Sequence, residues 1–410
     1  MRGAGLLEEA PLPEYIKCHW DSRSEEPWDP EKNPDGYIGL CVAENKLVWD
    51  ILEPRLAESR SVEARSFGYQ DMMGTPQFRE VLAGFLGVRL AGRAIDPDNL
   101  AVLSGAGSVL ETLFYVLTDP GDGVLVPTPS YAAFWPDLET RDQATIIPVH
   151  TTSEDGFELT VRSLDQALSN SDRTVRALLY TNPNNPLGRI DAPSKVEEVL
   201  HWARDNGLHV VLDEVYALSV FGETSFVSGA RLNPQLEDWL HIIWAFSKDF
   251  AASGLRVGVL LSENESVIKA VDALAYWAAV SGDTQSLLAN LLSDTTWVDA
   301  FIRENQRRLG EAYRRATAAL DEYGIPYIPA EAGFFFLVDV RSLMEDVSWE
   351  AEDRLWRRLV DEYKLNLTPG SACRAPEPGF MRLVFASTPT DAVLEGVRRL
   401  GRLVRSPEPA

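Results

Sequence analysis

The chain predicts an α/β fold: a mainly parallel central sheet sandwiched by helices, followed by a smaller α+β unit and preceded by an arm. Three observations carry that expectation. Short apolar runs alternate with helical stretches between residues 100 and 261, the pattern of strands buried on both faces. Most of those runs end in polar, small or turn-forming residues, which marks strand ends. A long amphipathic stretch, 299–323, then separates the alternation from three further strand-like runs.

In chain order, residues 1–36 are rich in proline, acids and aromatics and read as an irregular arm in which Trp20 and Trp28 are buried anchors. Helical periodicity over 51–90 is broken at 67–74, a loop leading into a helix at Thr75-Pro76. Strands are expected at 100–103, 124–127, 144–149, 177–180, 209–212, 241–246 and 256–261, and helices at 108–117 and 195–206. On the 299–323 helix, Phe301, Ile302, Leu309, Tyr313 and Leu320 form the apolar stripe, and the arginines form a solvated face. Strands at 333–338, 365–367 and 381–385 belong to the smaller unit. The divisions that follow are an arm over 1–50, a large unit over 51–295 and a small C-terminal unit over 296–410.

A length of 410 residues suits two or more domains, and 45% hydrophobic with 24% charged residues is ordinary for a globular protein. The net charge of −24 argues against nucleic acid or an anionic membrane as partner. Cys18, Cys41 and Cys373 are too scattered for a disulfide framework, and the five histidines show no metal-ligand spacing. No metal is therefore expected. The first 17 residues do not read as a signal peptide, and no apolar run approaches the ~18 residues a membrane span needs. A cytoplasmic location is the expectation.

The chemistry gathers where strands end, as ligands do in open parallel sheets. An apolar run delivers Lys248 into small residues; a buried ammonium there is costly unless used, and one use is a covalent imine with an aldehyde cofactor. Ser104-Gly105-Ala106-Gly107 leads into a helix and reads either as a tight turn or as a phosphate cradle of free N–H groups. Arg256 reads as a surface arginine or as a clamp on the same phosphate. Asp213 can cap, ligate a metal or face a heterocyclic nitrogen. Against a protonated ring nitrogen at ~4 Å its attraction is about 4 kcal/mol at an effective dielectric near ~20. Tyr216 and Asn185 can reach an oxygen on such a ring, and Tyr131 can stack on it, although turn chemistry and core packing explain the same residues. Together they suit a phosphorylated pyridine aldehyde.

The runs Asn182-Pro183-Asn184-Asn185-Pro186, Asp213-Glu214-Val215-Tyr216 and Ser247-Lys248 with Arg256 resemble the fold-type I pyridoxal-phosphate enzymes of the class I/II aminotransferase group. Within it, Ala43-Glu44-Asn45, Pro369-Gly370-Ser371 and Glu377-Pro378-Gly379 are similar to 1-aminocyclopropane-1-carboxylate (ACC) synthases. The resemblance implies pyridoxal 5'-phosphate held in the 51–295 unit, with Lys248 as Schiff-base lysine and acid/base. It pairs Asp213 with the ring nitrogen, and Asn185 and Tyr216 with the ring oxygen. Gly105, Ala106, Gly107, Ser247 and Arg256 fall to the phosphate, and Tyr131 to the ring face. Arg382 falls to the substrate carboxylate and Glu44 to a sulfonium. Cys373 is a bystander in its loop. A homodimer sharing its site is implied as well, with Trp20, Trp28 and the loop around Met72 as candidate contacts.

Three positions depart from the family: Met72 and Met73 replace a tyrosine and a histidine, and Ala245 replaces a phosphate-binding serine. Fewer donors then hold the cofactor, a hint of altered chemistry on a related substrate. The reaction implied is α-proton abstraction from S-adenosylmethionine with loss of methylthioadenosine. It ends in cyclisation, or in γ-elimination to a vinylglycine species captured by a second substrate. The alternative is transamination of an amino acid. A cofactor-binding sensor without catalysis fits poorly with Lys248, Asp213 and Arg382 all present.

Overall fold

The computed structural model describes residues 12–25 and 27–405; the expectations for residues 1–11 and 406–410 lie outside them. Eleven strands are present among the described residues: β1 (Ile38–Gly39), β2 (Leu100–Leu103), β3 (Gly123–Thr128), β4 (Thr145–His150), β5 (Val175–Thr181), β6 (His209–Asp213), β7 (Leu240–Ala245), β8 (Gly258–Ser262), β9 (Phe335–Asp339), β10 (Leu365–Asn366) and β11 (Phe380–Val384). Seven of them form one sheet in the order β2-β8-β7-β6-β5-β3-β4. β4, β3, β5, β6 and β7 run parallel, and β8 lies antiparallel between β7 and β2. The fold is α/β, of fold type I.

Side-chain alternation splits this sheet between two cores. Leu125, Leu178, Leu212 and Trp244 join one cluster, whereas Val126, Leu179, Val211 and Ile243 join the other. Both faces are apolar because both carry helices. The helices that bear on the site are α1 (Glu14–Glu25), α2 (Ala106–Leu117), α3 (Phe134–Glu139), α4 (Phe246–Asp249), α5 (Thr295–Glu322), α6 (Trp349–Asp361) and α7 (Thr390–Arg405). The helix Pro76–Leu86 starts as its sequence requires, with the Thr75 side chain accepting from the Phe78 N–H and Pro76 in the first turn. α5 begins earlier than the apolar stripe indicates, because the Asp294 carboxylate caps the Trp297 N–H.

Beyond α5, β9 and β11 pair antiparallel and α7 packs on α5. The arm joins this part of the molecule. β1 pairs parallel with β10, and Asn366 Nδ2 donates to the Tyr15 carbonyl at 2.8 Å and to the Tyr37 hydroxyl at 3.0 Å. One expectation fails here, since 14–25 is helical rather than irregular. Among its residues whose burial is described, Tyr15 and His19, one turn apart, are the buried ones; two positions amid polar neighbours leave almost no periodic signal. Trp28 packs partly buried on the core as expected, but Trp20 remains 51% exposed. Among the described residues no helix is long and apolar enough to cross a membrane.

Candidate active site

β7 ends at Ala245 and the chain turns at once into the four-residue α4, which carries Ser247 and Lys248. The residue after the lysine fixes that turn. The buried Asp249 carboxylate accepts from Trp244 Nε1 at 2.8 Å, Ser219 Oγ at 2.7 Å and the Leu218 N–H at 3.0 Å. It thereby ties α4 to the segment after β6. Lys248 Nζ donates to the Ala43 carbonyl at 2.7 Å and lies 5.8 Å from the Phe334 ring centre. Burial, reinforced by the positive charge of Arg382, lowers this amine to about 8; Glu44 and Asp213 pull the other way.

Asp213 closes β6, and its carboxylate accepts from the Val215 N–H at 3.3 Å. Burial raises it to about 6, against the Val215 hydrogen bond and the charge of Lys248. Nearby runs a buried polar chain. Asn185 Nδ2 donates to the Tyr216 hydroxyl at 3.4 Å, and Asn185 Oδ1 accepts from Arg382 Nη1 at 2.9 Å. Arg382 Nη2 donates to the Cys41 carbonyl at 2.7 Å and to Thr368 Oγ1 at 3.1 Å, while its Nε has no partner among the described residues. Phe334 and Phe335 meet the Tyr216 ring edge to face, and Phe335 also underlies the guanidinium at 5.4 Å.

At the end of β2, Gly105 has φ +91°, a left-handed conformation that glycine adopts readily, and α2 starts at Ala106. A Cβ on Gly105 would collide with the Arg256 guanidinium, and one on Gly258 would come within 2.6 Å of the Ala106 nitrogen. Gly107 is open, with only the Asp137 carboxylate at 3.9 Å from such a Cβ. Arg256 does not begin a strand as expected. It sits at φ +52°, with Nη1 donating to the Ser253 carbonyl at 3.0 Å, and β8 starts two residues later. Ser247 is buried, and its carbonyl accepts from Ser253 Oγ at 3.4 Å.

A cavity of about 1380 Å³ opens on this region, lined by Lys248, Arg382, Glu44 and Tyr131 and reaching out to Trp135 and Arg374. Tyr131 is 37% exposed and meets Phe134 edge to face. Asp213, Asn185, Tyr216 and the glycine turn are not on the cavity wall, but Lys248 feels the charges of Asp213, Glu44, Arg382 and Arg256 alike. Met72 does not line this cavity and packs partly buried against the core. Cys373 is buried, and its carbonyl, not its thiol, makes the local contact, accepting from the Ser130 N–H at 2.8 Å. Sequence reasoning missed the Cys41 and Ala43 carbonyls, Thr368, Asp249 and the Phe334–Phe335 floor. Only the run of three phenylalanines at 334–336 carries any local signal.

A sequence model described as aminotransferase class I and II matches residues 37–400. The chain belongs to that family. Class I and II aminotransferases and the ACC synthases among them depend on pyridoxal 5'-phosphate. Similar curated proteins include 1-aminocyclopropane-1-carboxylate synthase 6 of Arabidopsis thaliana, 36% identical over 90% of this chain and 78% of the relative. Synthase 2 of Solanum lycopersicum is 34% identical over 94% of this chain and 83% of its own. Among solved structures, the aspartate aminotransferase of Thermus thermophilus with maleate has a TM-score of 0.81 at 21% identity, covering 97% of this chain and 98% of that one. That last likeness is one of fold.

Proposed function

We propose that this class I and II aminotransferase family member acts on S-adenosylmethionine, removing its α-proton and releasing methylthioadenosine. The supporting observation is a charge pattern: Arg382 and Glu44 share one cavity wall with Lys248. An amino acid with a sulfonium side chain offers a carboxylate to the arginine and a cation to the glutamate, and a cavity of about 1380 Å³ leaves room for the attached nucleoside. The similarity to ACC synthases points the same way.

The residues present fit the family cofactor. Gly105 clears the N-terminus of α2 beside the Arg256 guanidinium, so Gly105, Ala106, Gly107, Ser247 and Arg256 can take a phosphate. Asp213 is a buried carboxylate that makes no ion pair among the described residues, which suits a protonated ring nitrogen. Asn185 and Tyr216 suit the ring oxygen, and Tyr131 the ring face. When bound, pyridoxal phosphate supplies an electron-withdrawing ring that stabilises negative charge at the substrate α-carbon. Lys248 accepts the α-proton as a neutral amine, which its lowered pKa favours. Arg382, with one unpartnered Nε donor, orients the α-carboxylate. Glu44 faces the sulfonium.

Two outcomes share these steps. In cyclisation the α-carbon electron pair forms a bond to the γ-carbon, and the C–S pair leaves with methylthioadenosine. In γ-substitution a β-proton leaves as well and the C–S pair departs with methylthioadenosine, leaving a β,γ double bond. A second substrate's electron pair then forms the new bond to the γ-carbon, the two removed protons return to the α- and β-carbons, and the nucleophile's proton passes to solvent. The same reading includes a cofactor unit over 51–295 and a homodimer sharing its sites; a monomeric solution mass counts against the dimer. Incubating the holoenzyme with S-adenosylmethionine and following methylthioadenosine by mass tests the central claim. Release of methylthioadenosine is expected. No release, with amine transfer to a 2-oxo acid, would establish a plain aminotransferase instead.

A further inference from the structure

We propose that the outer end of the cavity is an anion subsite in which Arg374, laid on the face of Trp135, holds the carboxylate or phosphate of a second small-molecule substrate. The inference rests on the S-adenosylmethionine reading and deepens it by giving the acceptor of the γ-substitution a chemical class. Both residues line the cavity that holds Lys248 and Arg382. The Arg374 guanidinium carbon lies 4.8 Å from the centre of the Trp135 ring, within cation–π range.

The two residues come from segments more than 200 positions apart, and the backbone fixes both. Trp135 is on α3, just after β3, and Arg374 is in the loop before β11. The Ser130 N–H donates to the Cys373 carbonyl at 2.8 Å, joining the segments immediately beside Arg374. Within the loop, the N–H groups of Arg374 and Ala375 reach the carbonyls of Ser371 at 3.1 Å and Gly370 at 3.0 Å. The buried Glu352 carboxylate of α6 accepts from the Ser371 N–H at 3.0 Å and the Gly379 N–H at 2.7 Å, pinning both ends of the loop. Arg374 itself is left-handed at φ +53°, a conformation that non-glycine residues adopt only where their surroundings impose it.

Among the described residues no carboxylate pairs with this guanidinium. The chain has 62 acidic against 38 basic residues, yet among the described residues Arg374 makes no ion pair. Glu139 is near enough to feel its charge but does not pair with it. The other outer arginine, Arg141, is satisfied by Glu111 at 2.9 Å. A guanidinium held over a ring and without an ion pair among the described residues has donors for a planar, forked partner, which is the requirement of a carboxylate or phosphate. S-adenosylmethionine does not supply that anion, because its one carboxylate is assigned to Arg382 and its remainder is cationic or neutral. The anion belongs to another ligand.

The test titrates holoenzyme calorimetrically with inorganic phosphate and, separately, with acetate, in the wild type, Arg374→Ala, Arg374→Lys and Trp135→Phe. At least one anion should bind about tenfold or more weakly to Arg374→Ala, with Trp135→Phe in between. Arg374→Lys should restore phosphate binding more fully than acetate binding, since a lysine offers a point charge without the fork; which anion responds distinguishes the two sources. Binding of both anions unchanged in Arg374→Ala, or undetectable in the wild type, overturns the subsite. So does an equal rise in the KM for S-adenosylmethionine in Arg374→Ala measured without added anion, because Arg374 would then serve the first substrate. If the wild type releases no methylthioadenosine at all, the S-adenosylmethionine reading falls, and the titration still decides whether the anion site exists.

Discussion

Lys248 lies in the fields of two cations, Arg382 and Arg256, and two carboxylates, Glu44 and Asp213, and burial outweighs them all in bringing its amine to about 8. The amine must be neutral to accept a proton, so kcat should rise with pH along a limb centred near that value. Glu44 opposes the shift by favouring the charged amine. Glu44→Gln should therefore move the kcat limb to lower pH while raising the KM for a sulfonium substrate. A limb that stays in place, or moves to higher pH, would remove Glu44 from the field of the lysine. This lysine was legible in sequence because an apolar run delivers it to a strand end, where idle lysines are costly. Arg374 was not legible. Its meaning depends on Trp135, and nothing local in either segment announces a contact made only when the loop before β11 folds over the end of β3.

At the level of the element, the turn that presents Lys248 depends on Asp249, whose carboxylate collects three donors from β7 and the segment after β6. Asp249→Ala leaves a backbone N–H, a hydroxyl and an indole N–H buried without that partner. The expected loss is roughly 2–5 kcal/mol of stability in urea denaturation of the apo-protein, and a loss below about 1 kcal/mol would show that the turn holds without it. Burial lifts Asp249 from 3.8 to about 7, so the folded state keeps its proton longer than the unfolded chain. Its contribution is complete below the unfolded value and is lost as pH rises towards 7. The stability gap between the wild type and Asp249→Asn should accordingly narrow from pH 4 to pH 7. In sequence this aspartate is hidden beside the lysine, because its partners Leu218 and Ser219 lie about thirty positions away. The strands of the large sheet were legible because they are buried on both faces. α1 and the true start of β8 were not, since one shows too little apolar surface and the other begins only after the left-handed Arg256.

Over the whole molecule the acidic excess and the buried acids act in the same direction. Burial raises Glu214 and Asp249 to about 7 and Asp142 to about 8, so the folded chain binds more protons than the unfolded chain across neutral pH. Stability then falls as pH rises through that window. His241 works in the opposite sense, but over a different range. It is fully buried and bonded to Ser262 Oγ at 2.8 Å, and burial lowers it to about 3, so it erodes stability as pH falls from about 6.5 towards that value. Above 6.5 that opposition is absent, and Lys248, lowered to about 8, offsets part of the fall only towards the top of the window. The net charge of −24 adds self-repulsion that grows as the raised acids ionise. The Tm of the apo-protein should therefore fall between pH 6.5 and 8.5. The fall should be steeper at about 10 mM salt than at about 150 mM, where the screening length shortens from roughly 30 Å to roughly 8 Å. A Tm that rises across this window would mean that Glu214, Asp249 and Asp142 are ionised in the folded state and held by donors strong enough to reverse their desolvation. A fall that is indifferent to salt would assign the whole effect to those buried protons and none of it to the acidic surface.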